Sequence, residues 1–570
     1  MTLLLGPVLR HVGETTATIW VQTAASATVE VLGTSTSTFE VCGHHYAVVP
    51  VTGLEPDSRI PYEVLIDGEQ AWPLPHSPFP ESVIPTRGPE SAGSGRILFG
   101  SCRYVKVSDR KVAAQYGIDA LDAYAARLAG LPPQEWPTAL LLLGDQVYAD
   151  ELTPQTRRRI AGRVDRPEGW PDDEIVGYDE YVGLYRDSWV DPEIRWILST
   201  VPTAMIFDDH DVRDDWNTSA AWRAEMAKTS WWQDRIRSAL GSYWVYQHLG
   251  NLSPEELAAD PDWQKVQRAE GDVWPHLVEL ADRADAEVDG EKGVRFSFRW
   301  DMGRTRLVII DSRNGRILDD GAHLMLGETE FSWVEEQATA PGEVDHLLLG
   351  TSVPWLLAPA LGDLETVNEA AAAKPGLLGK WGEAVRQGAD MEHWPAFRTS
   401  FDRLTALVRR AAESGLASES AAGSTSGSGS GSTSGSTSGP ASGPASVSVL
   451  SGDVHHSYAA RAELPGAPAG SARVHQLVCS PVHNQVPAAI RVAFRLAWSR
   501  PAARWARAWA AHNGAPPPEP RWTKLGGPLF GNLIATLLVE DRRAEVLFEK
   551  PRSASTLSEQ ARYPLTAEDT

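Results

Sequence analysis

Six apolar runs of strand length, each followed directly by a cluster of polar residues, constrain the fold of this chain more than any other feature. Strands that are apolar on both faces require a sheet covered on both sides. Helical patterns between the runs, such as residues 116–128, would supply that cover. The runs therefore predict an α/β fold whose polar strand ends meet at one edge of one sheet, where such folds place active sites. The six runs are RILFGSCR, TALLLLGDQVYAD, TAMIFDDHD, RLVIIDSRN, HLLLGTSVP and VSVLSGDVHHS.

The first 88 residues follow a different pattern. Short β-branched runs recur about every ten residues, with Gly, Pro and Asp between them. This spacing predicts a small all-β sandwich over residues 1–88. The GPESAGSG segment at 88–95 indicates a linker. We place the α/β domain at 96–550 and a C-terminal tail at 551–570. The β-branched runs are Thr16–Gln22, Thr28–Leu32, Tyr46–Thr52 and Tyr62–Asp67.

Two insertions interrupt the α/β pattern. Residues 216–300 are rich in tryptophan and are predicted to be mainly helical. Residues 421–446 consist almost entirely of Gly, Ser, Thr, Ala and Pro, a composition that cannot bury apolar surface. We predict that this second segment is a disordered, flexible linker.

Residues 490–509 interleave five arginines with four aromatic residues. This pattern is typical of a basic amphipathic helix, broken near Pro501, that lies on a membrane surface. It is equally typical of a helix that packs on the core and presents a solvated arginine face. We favour the packed helix. The residues concerned are Arg491, Phe494, Arg495, Trp498, Arg500, Arg504, Trp505, Arg507 and Trp509.

The charge balance limits the partners. Acidic residues outnumber basic ones by 75 to 52, which gives a net charge of −23. Such a surface repels phosphate backbones, so no stable nucleic-acid partner is expected. The three cysteines are too few and too scattered for a disulfide framework. We find no leader segment and no apolar stretch long enough to span a membrane, and therefore expect a cytoplasmic protein.

The six strand ends carry residue types that bind metals. Carboxylates gathered this densely would repel one another and would suffer large desolvation costs. Bound cations remove both problems, so the strand ends predict a metal cluster. The residues are Cys102, Asp145, Tyr148, Asp208, Asp209, His210, Asp211, Asp311, Arg313, Asn314, Thr351, Ser352, Asp453, His455 and His456.

Four motifs in a fixed order carry a resemblance to a known family. They are GSC at 100–102, GDQVY at 144–148, DDHD at 208–211 followed by Asn217, and GDVHHS at 452–457. The chain resembles the calcineurin-like metallophosphatase superfamily and, within it, the alkaline phosphatase D (PhoD-like) family, from residue 96 to about 550. The resemblance implies a four-layer α/β sandwich with helical insertions, preceded by a small immunoglobulin-like sandwich. One feature departs from the superfamily, because the GTSVP strand end has no histidine.

The resemblance also implies the metals and their ligands. Thiolate and phenolate are strongly donating ligands that suit Fe³⁺ better than Mg²⁺ or Ca²⁺. The implied iron ligands are Cys102, Asp145, Tyr148 and Asp453, with His455. Neighbouring Ca²⁺ is implied, with Asp145 as the bridging ligand and with Asp209 and Asn217 contributing. Other divalent metals fit the same residues, and Asp208 could replace Asp209.

Three further residues are candidates for contact with substrate. His210 would stabilise the phosphoryl oxygens or protonate the leaving group, or else it orients a carboxylate. Arg103 would grip phosphate oxygens, or else it forms a salt bridge to Asp145 or Asp150. Arg313 is a candidate for substrate binding.

The expected reaction is hydrolysis of phosphomonoesters, phosphodiesters or both by a metal-activated hydroxide, with a small phosphate ester as substrate. A nuclease or a phospholipase-type phosphodiesterase would use the same metal site and is the alternative. A peripheral membrane protein that acts through residues 490–509 is a further alternative.

Overall fold

The computed structural model of the protein describes residues 2–107, 109–290, 292–318, 322–423 and 443–567. The N-terminal region is all β, as predicted. Two four-stranded antiparallel sheets, in the orders β1-β2-β6-β5 and β4-β3-β8-β9, enclose a core that includes Ile19, Val29 and Val49. The strands are β1 Leu3–Val12, β2 Thr16–Thr23, β3 Thr28–Val31, β4 Thr34–Ser37, β5 Phe39–Val41, β6 His44–Thr52, β7 Arg59–Pro61, β8 Val64–Ile66, β9 Glu69–Trp72 and β10 Val83–Pro85.

The rest of the chain forms two larger sheets. The first has six strands in the order β13-β12-β11-β21-β22-β23, and the second has seven in the order β14-β15-β16-β17-β19-β18-β20. The strands are β11 Ser94–Gly100, β12 Ala139–Leu143, β13 Thr203–Ile206, β14 Phe298–Met302, β15 Thr305–Ile310, β16 His346–Thr351, β17 Ser446–Ser451, β18 Ser457–Glu463, β19 Arg473–Val478, β20 Arg521–Leu529, β21 Ile534–Glu540, β22 Arg543–Ser553 and β23 Thr556–Pro564.

All six apolar runs are strands, but they do not lie in one sheet as expected. Strands β11, β12 and β13 are parallel neighbours in the six-stranded sheet, whereas β15, β16 and β17 are parallel neighbours in the seven-stranded sheet. The alternation of apolar contacts along the strands explains this division. Leu348 faces the first sheet, in one core with Leu98 and Leu140, whereas Leu349 faces the opposite way.

Helices cover the outer faces of the two sheets, which gives the expected four layers. Leu349 of β16 packs with Phe331 of α11 and Leu404 of α14, and α2 packs beside β21, β22 and β23. The helices are α1 Arg110–Tyr116, α2 Ala120–Leu128, α3 Pro154–Ala161, α4 Tyr178–Trp189, α5 Pro192–Thr200, α6 Ala220–Met226, α7 Trp232–Tyr243, α8 Pro254–Ala259, α9 Pro261–Arg268, α10 Trp274–Asp285, α11 Glu328–Thr339, α12 Pro359–Ala372, α13 Leu377–Gly388, α14 Arg398–Gly423, α15 Ala488–Ala497 and α16 Arg500–His512.

The N-terminal sandwich packs closely on the α/β region. Trp20 of β2 contacts Trp189 at the end of α4, with ring centroids 6.1 Å apart. The Tyr62 hydroxyl donates to the carbonyl of Ser199 in α5 at 2.6 Å. The Trp-rich insertion at 216–300 is mainly helical, as predicted, and contains α6 to α10.

Two boundaries differ from the prediction. The described part of the predicted tail, residues 551–567, is folded, because β23 pairs with β22 as an antiparallel hairpin that completes the six-stranded sheet, and Leu565 is buried. The predicted linker at 421–446 is shorter than expected, since α14 runs to Gly423 and β17 begins at Ser446. Its central part, 424–442, lies outside the described residues.

Residues 490–509 form two helices, α15 and α16, with the break at Trp498–Ser499. The Ser499 hydroxyl accepts from the Ala502 N–H at 3.3 Å and so caps α16. Pro501 therefore lies in the first turn of α16, where its missing N–H costs nothing. In the part of the chain that the structure describes, no helix is both long and apolar enough to cross a bilayer.

Candidate metal centre

The chain turns sharply at the carboxyl ends of three strands that carry predicted ligands. Cys102, Asp145 and Asp453 adopt φ angles of 55°, 52° and 64°, a left-handed conformation that few non-glycine residues take up. Each such residue costs on the order of 1–3 kcal/mol, and residues of this kind cluster at active sites. The glycine before each aspartate is sterically required. A Cβ on Gly144 would lie 2.7 Å from Asp208 Cβ, and one on Gly452 would lie 1.9 Å from Ser101 Oγ.

The four side chains of the expected iron site lie together. The Tyr148 hydroxyl donates to Asp145 Oδ2 at 3.3 Å, and Cys102 Sγ lies 3.7 Å from the carbonyl oxygen of Asp453. Burial raises the pKa of the Cys102 thiol well above its ordinary value, and the Asp145 and Asp453 carboxylates raise it further. Burial likewise raises the pKa of the Tyr148 phenol. A thiol and a phenol held among carboxylates would ionise only with a cation beside them.

Two groups of carboxylates are spaced for cations. Ligand oxygens of Asp145, Asp208 and Asp209 lie within 4.8 Å of one another, and the same holds for Asp209, Glu392 and Asp453. Within the described residues, Asp145 Oδ1, Asp208 Oδ2 and Asp209 Oδ1 are buried without a hydrogen-bond partner. Burial raises the pKa of Asp145 and Asp209, and it raises that of Asp208 to about 8. Nearby cationic side chains supply only part of the counter-charge for these carboxylates, so the residues fit bound metal ions.

Arg313 lies at the centre of these carboxylates. The guanidinium is fully buried and pairs with Asp208 and Glu392, while its Nη2 lies 3.3 Å from Asp209 Oδ1. Among the described residues, Nη2 has no hydrogen-bond partner, so its contact with Asp209 is an ion pair only. Ser352 also donates to Asp208, at 2.9 Å. Arg313 and Ser352 occupy Asp208 Oδ1, and the Asp215 N–H donates to Asp209 Oδ2 at 3.2 Å. Each of the two carboxylates thus keeps one oxygen without a hydrogen-bond partner among the described residues.

These pairings predict the effect of removing the guanidinium. In metal-free protein, Arg313→Met should lower the free energy of unfolding of the α/β domain by about 3–5 kcal/mol, because Asp208 would lose its buried cationic partner and Glu392 would keep only the more distant Arg316, at 3.4 Å. Arg299→Met is the matched control, since Arg299 pairs with the partly exposed Asp301 and its loss should cost at most about 1 kcal/mol. Urea denaturation measures both. A cost for Arg313→Met as small as that of the control would contradict this account.

His210 is held by a buried carboxylate. Its Nδ1 lies 2.9 Å from Asp150 Oδ1, and Asp150 also accepts the backbone N–H of Asp214 at 2.6 Å. Burial alone would lower the pKa of His210, but Asp150 and Asp209 outweigh it and raise this pKa well above its ordinary value. Burial alone would raise the pKa of Asp150, but the pairing with His210 outweighs burial and lowers this pKa to about 2. The site therefore presents an oriented imidazolium beside the carboxylates.

Two residues of the site, Glu392 and His393, were not predicted. His393 Nε2 lies 2.8 Å from Asp453 Oδ2, and its Nδ1 lies 2.7 Å from Glu365 Oε1 of α12. They belong to the MEHWP segment before α14, and not to a strand end. His393 thus lies next to Asp453 although the GTSVP strand end has no histidine. In the sequence, only the adjacent glutamate and histidine could have indicated that this segment contributes to the site.

Arg103 and Asn217 are not placed as expected. Arg103 Nε donates to Asp119 Oδ2 at 2.9 Å and its Nη1 donates to the Ser188 carbonyl at 2.9 Å. The salt bridge is thus to Asp119, the N-cap of α2, and these contacts commit the guanidinium away from phosphate. Asn217 Oδ1 accepts from Arg223 at 2.9 Å and its Nδ2 donates to the Arg313 carbonyl at 3.2 Å, so it offers no free amide oxygen to calcium.

His455 follows the turn at Asp453 and has a φ of 46°. Burial lowers its pKa to about 4, so the ring is neutral at pH 7. A neutral imidazole is the form that binds a metal ion. His483, by contrast, hydrogen-bonds the carbonyl of Tyr104 and packs a loop.

Comparisons with known proteins concern the fold and the family of parts of the chain. The family model described as PhoD-like phosphatase matches residues 120–269, and a model described as a domain of unknown function (DUF7800) matches residues 1–84. No curated protein matches the chain. A solved structure titled "Structure of PhoD" matches with a TM-score of 0.56 at 12% identity, over 99% of this chain and 91% of that one. The solved structure shows a shared fold, and residues 120–269, which include the GDQVY and DDHD motifs, match the PhoD-like phosphatase family, in agreement with the resemblance of these motifs.

Proposed function

We propose that this protein hydrolyses small phosphate esters at a metal centre built from the carboxyl ends of β11, β12, β13 and β17. The observation that carries the proposal is the set of buried carboxylate oxygens that have no hydrogen-bond partner among the described residues, next to a buried thiol and a buried phenol. Neighbouring ion pairs with Arg313 compensate only part of this negative charge. Bound cations would neutralise the remaining negative charge, and those cations would in turn bind a phosphate group.

We assign the ligands in two groups. Fe³⁺ would be held by Cys102, Asp145, Tyr148 and Asp453, with His455, because thiolate and phenolate suit a ferric ion. Ca²⁺ would be held by oxygen ligands from Asp145 and Asp209, which lie in one group, with Glu392 from the neighbouring group that shares Asp209. When bound, these cations would polarise the phosphoryl group, neutralise developing charge and lower the pKa of bound water. Asn217 is left out of the set because both atoms of its amide are already hydrogen-bonded.

Residues of the chain would position the substrate and move the proton. Asp150 fixes the His210 ring through Nδ1, so Nε2 is the atom that can donate a proton to the departing oxygen. Arg313 Nη2, which lies among Asp209, Asp453 and the unpartnered oxygens, would donate to an oxygen of the phosphoryl group. The turn conformations at Cys102, Asp145 and Asp453 hold the ligands in place before substrate arrives.

The proposal is tested by comparing two chromogenic substrates, p-nitrophenyl phosphate and bis(p-nitrophenyl) phosphate. Chelated protein should hydrolyse neither, and reloading with iron and calcium should restore turnover of at least one. The ratio of the two rates separates a phosphomonoesterase from a phosphodiesterase. Full turnover by thoroughly chelated protein would refute the proposal.

The iron assignment predicts colour. Charge transfer from thiolate or phenolate to Fe³⁺ should give the purified protein a visible absorption band. Tyr148→Phe should shift or weaken this band, because it removes a donor oxygen while keeping the ring. Tyr104→Phe is the matched control, since Tyr104 stacks on Tyr116 and has no place in the ligand set. Stoichiometric zinc without iron, and no visible band, would contradict the assignment.

A further inference from the structure

Helices α15 and α16 reverse the usual arrangement of a surface helix. Their buried side chains are alanines, Ala497, Ala506 and Ala510, whereas surface helices ordinarily bury their large apolar residues. The large residues point outward instead: Ile490, Val492, Leu496, Trp505 and Trp509 are exposed, and Trp505 is 62% exposed. The two tryptophan rings stack with centroids 5.9 Å apart. We call the exposed face of α15 and α16 the Trp–Arg face.

The inner side of this helix pair packs against α12. Ala497 and Ala506 lie in one small core with Ala358 and Ala360, and Ala510 lies against Val367 of α12. Helix α13 also packs on α12, and it too exposes large apolar side chains, including Leu377 and Trp381. The exposed apolar residues of these helices therefore flank the same helix. A concentration of this kind marks an interaction surface and not the ordinary scatter of surface hydrophobes.

The charge around the Trp–Arg face is opposite to that of the whole protein. The chain carries a net charge of −23, yet residues 464–518 contain six arginines and not one aspartate or glutamate. Arg500 and Arg504 are exposed beside Trp505. Arg507 pairs with Asp363 of α12, and Arg495 lies over the Phe530 ring. A local positive field on an acidic protein selects an anionic partner.

We propose that the Trp–Arg face docks on an anionic lipid bilayer. Tryptophan rings sit at the level of the lipid headgroups, and arginines beside them pair with lipid phosphates, which is the composition of helices that lie in a membrane interface. Two copies of the chain joined through this face would bring like-charged arginines together, which opposes self-association. A flat lipid surface needs no shaped pocket, only exposed apolar and basic side chains of the kind that α15 and α16 present.

The docked face would border the metal centre. The Phe494 ring of α15 lies 4.2 Å from the ring of His456, and Trp498 Nε1 lies 3.4 Å from His456 Nε2. His456 directly follows His455, a proposed ligand. Docking would thus hold the rim of the metal centre at the bilayer surface, although the docking itself does not depend on catalysis.

Co-sedimentation of the full-length protein with vesicles tests the proposal. Binding is expected to vesicles of equal parts phosphatidylglycerol and phosphatidylcholine, to fall with added salt, and to be far weaker for phosphatidylcholine alone. Arg500→Gln with Arg504→Gln should lower the partition coefficient about 25-fold, at roughly fivefold per charge. Trp505→Ser with Trp509→Ser should lower it at least about tenfold while leaving the charge intact.

Matched controls distinguish docking through the Trp–Arg face from general effects of surface charge and surface apolarity on vesicle binding. Arg157→Gln with Arg158→Gln removes two exposed charges on α3, and Leu74→Ser removes an exposed apolar side chain of the sandwich; both should bind like the unaltered protein. Thermal unfolding checks that each variant folds. If the double tryptophan variant does not fold, the double arginine variant alone decides the test. Absence of binding to anionic vesicles, or equal binding by all variants, would overturn the proposal. The proposal would also be overturned if the protein bound no vesicles but formed a dimer that the double tryptophan variant dissociates.

Discussion

Asp145→Ala should abolish metal binding and lower turnover of phosphate esters by about 10³-fold or more. We propose Asp145 as the ligand that bridges the two metals, because its Oδ1 is buried without a partner among the described residues and Tyr148 donates to its Oδ2. A metal ion contributes several kcal/mol to the stabilisation of transition-state charge, and about 4 kcal/mol corresponds to 10³-fold in rate. Elemental analysis and a hydrolysis assay on the same preparation measure both losses.

The matched control for this substitution is Asp311→Ala. Asp311 is also a buried carboxylate at a strand end, but it caps the backbone N–H groups of Arg313 and Asn314 and belongs to neither carboxylate group. Its loss should cost stability and leave the metal in place. The N-terminal sandwich, which has its own core, should stay folded in both variants. If Asp145→Ala kept its metal and near-normal turnover, GDQVY would be a structural turn only.

His210→Gln should retain the metals and lower turnover by about 10²-fold or more. The expected ligands are carboxylates, a thiol and a phenol, so the metals do not depend on this ring, whereas an oriented acid contributes on this scale. The loss should be larger for alkyl phosphates than for p-nitrophenyl phosphate, because nitrophenolate leaves without a proton. Rates for a series of leaving groups measure this difference.

Asp150→Asn separates the orientation of His210 from its charge. The amide can still hydrogen-bond Nδ1 but no longer supports the imidazolium. The pKa of His210 should therefore fall, and the alkaline limb of the activity profile, where the acid loses its proton, should move to lower pH with it. Equal losses for good and poor leaving groups in His210→Gln would reject the acid role and leave electrostatic stabilisation. Loss of metal in His210→Gln would make the histidine a structural residue.

The strands and the positions of the central carboxylates could be predicted from sequence because each is a local pattern. An apolar run that ends in GDQVY or GDVHHS specifies a buried strand and a turn that requires glycine, so Asp145 and Asp453 could be placed at strand ends directly. The sequence did not show that the runs belong to two sheets. A strand that is apolar on both faces has the same sequence pattern in either sheet.

The remaining differences concern residues whose role depends on distant partners. Arg103 follows Cys102 in sequence, but its guanidinium is captured by Asp119 and Ser188, and no local pattern shows that. Glu392 and His393 reach the site from a segment between α13 and α14. The exposed tryptophans of α16 were expected to alternate with arginines, but their outward direction is visible only once α12 is in place. The cytoplasmic location and the lack of a nucleic-acid partner stay predictions from the sequence.

Metal content and hydrolysis, measured together on protein purified without added metal, test the central claim most directly. We expect stoichiometric metal in the purified chain, including iron, and a rate of phosphate-ester hydrolysis that falls in proportion as a chelator removes the metal. Reloading should restore both. A preparation that hydrolyses phosphate esters at an undiminished rate with almost no metal per chain would contradict the account.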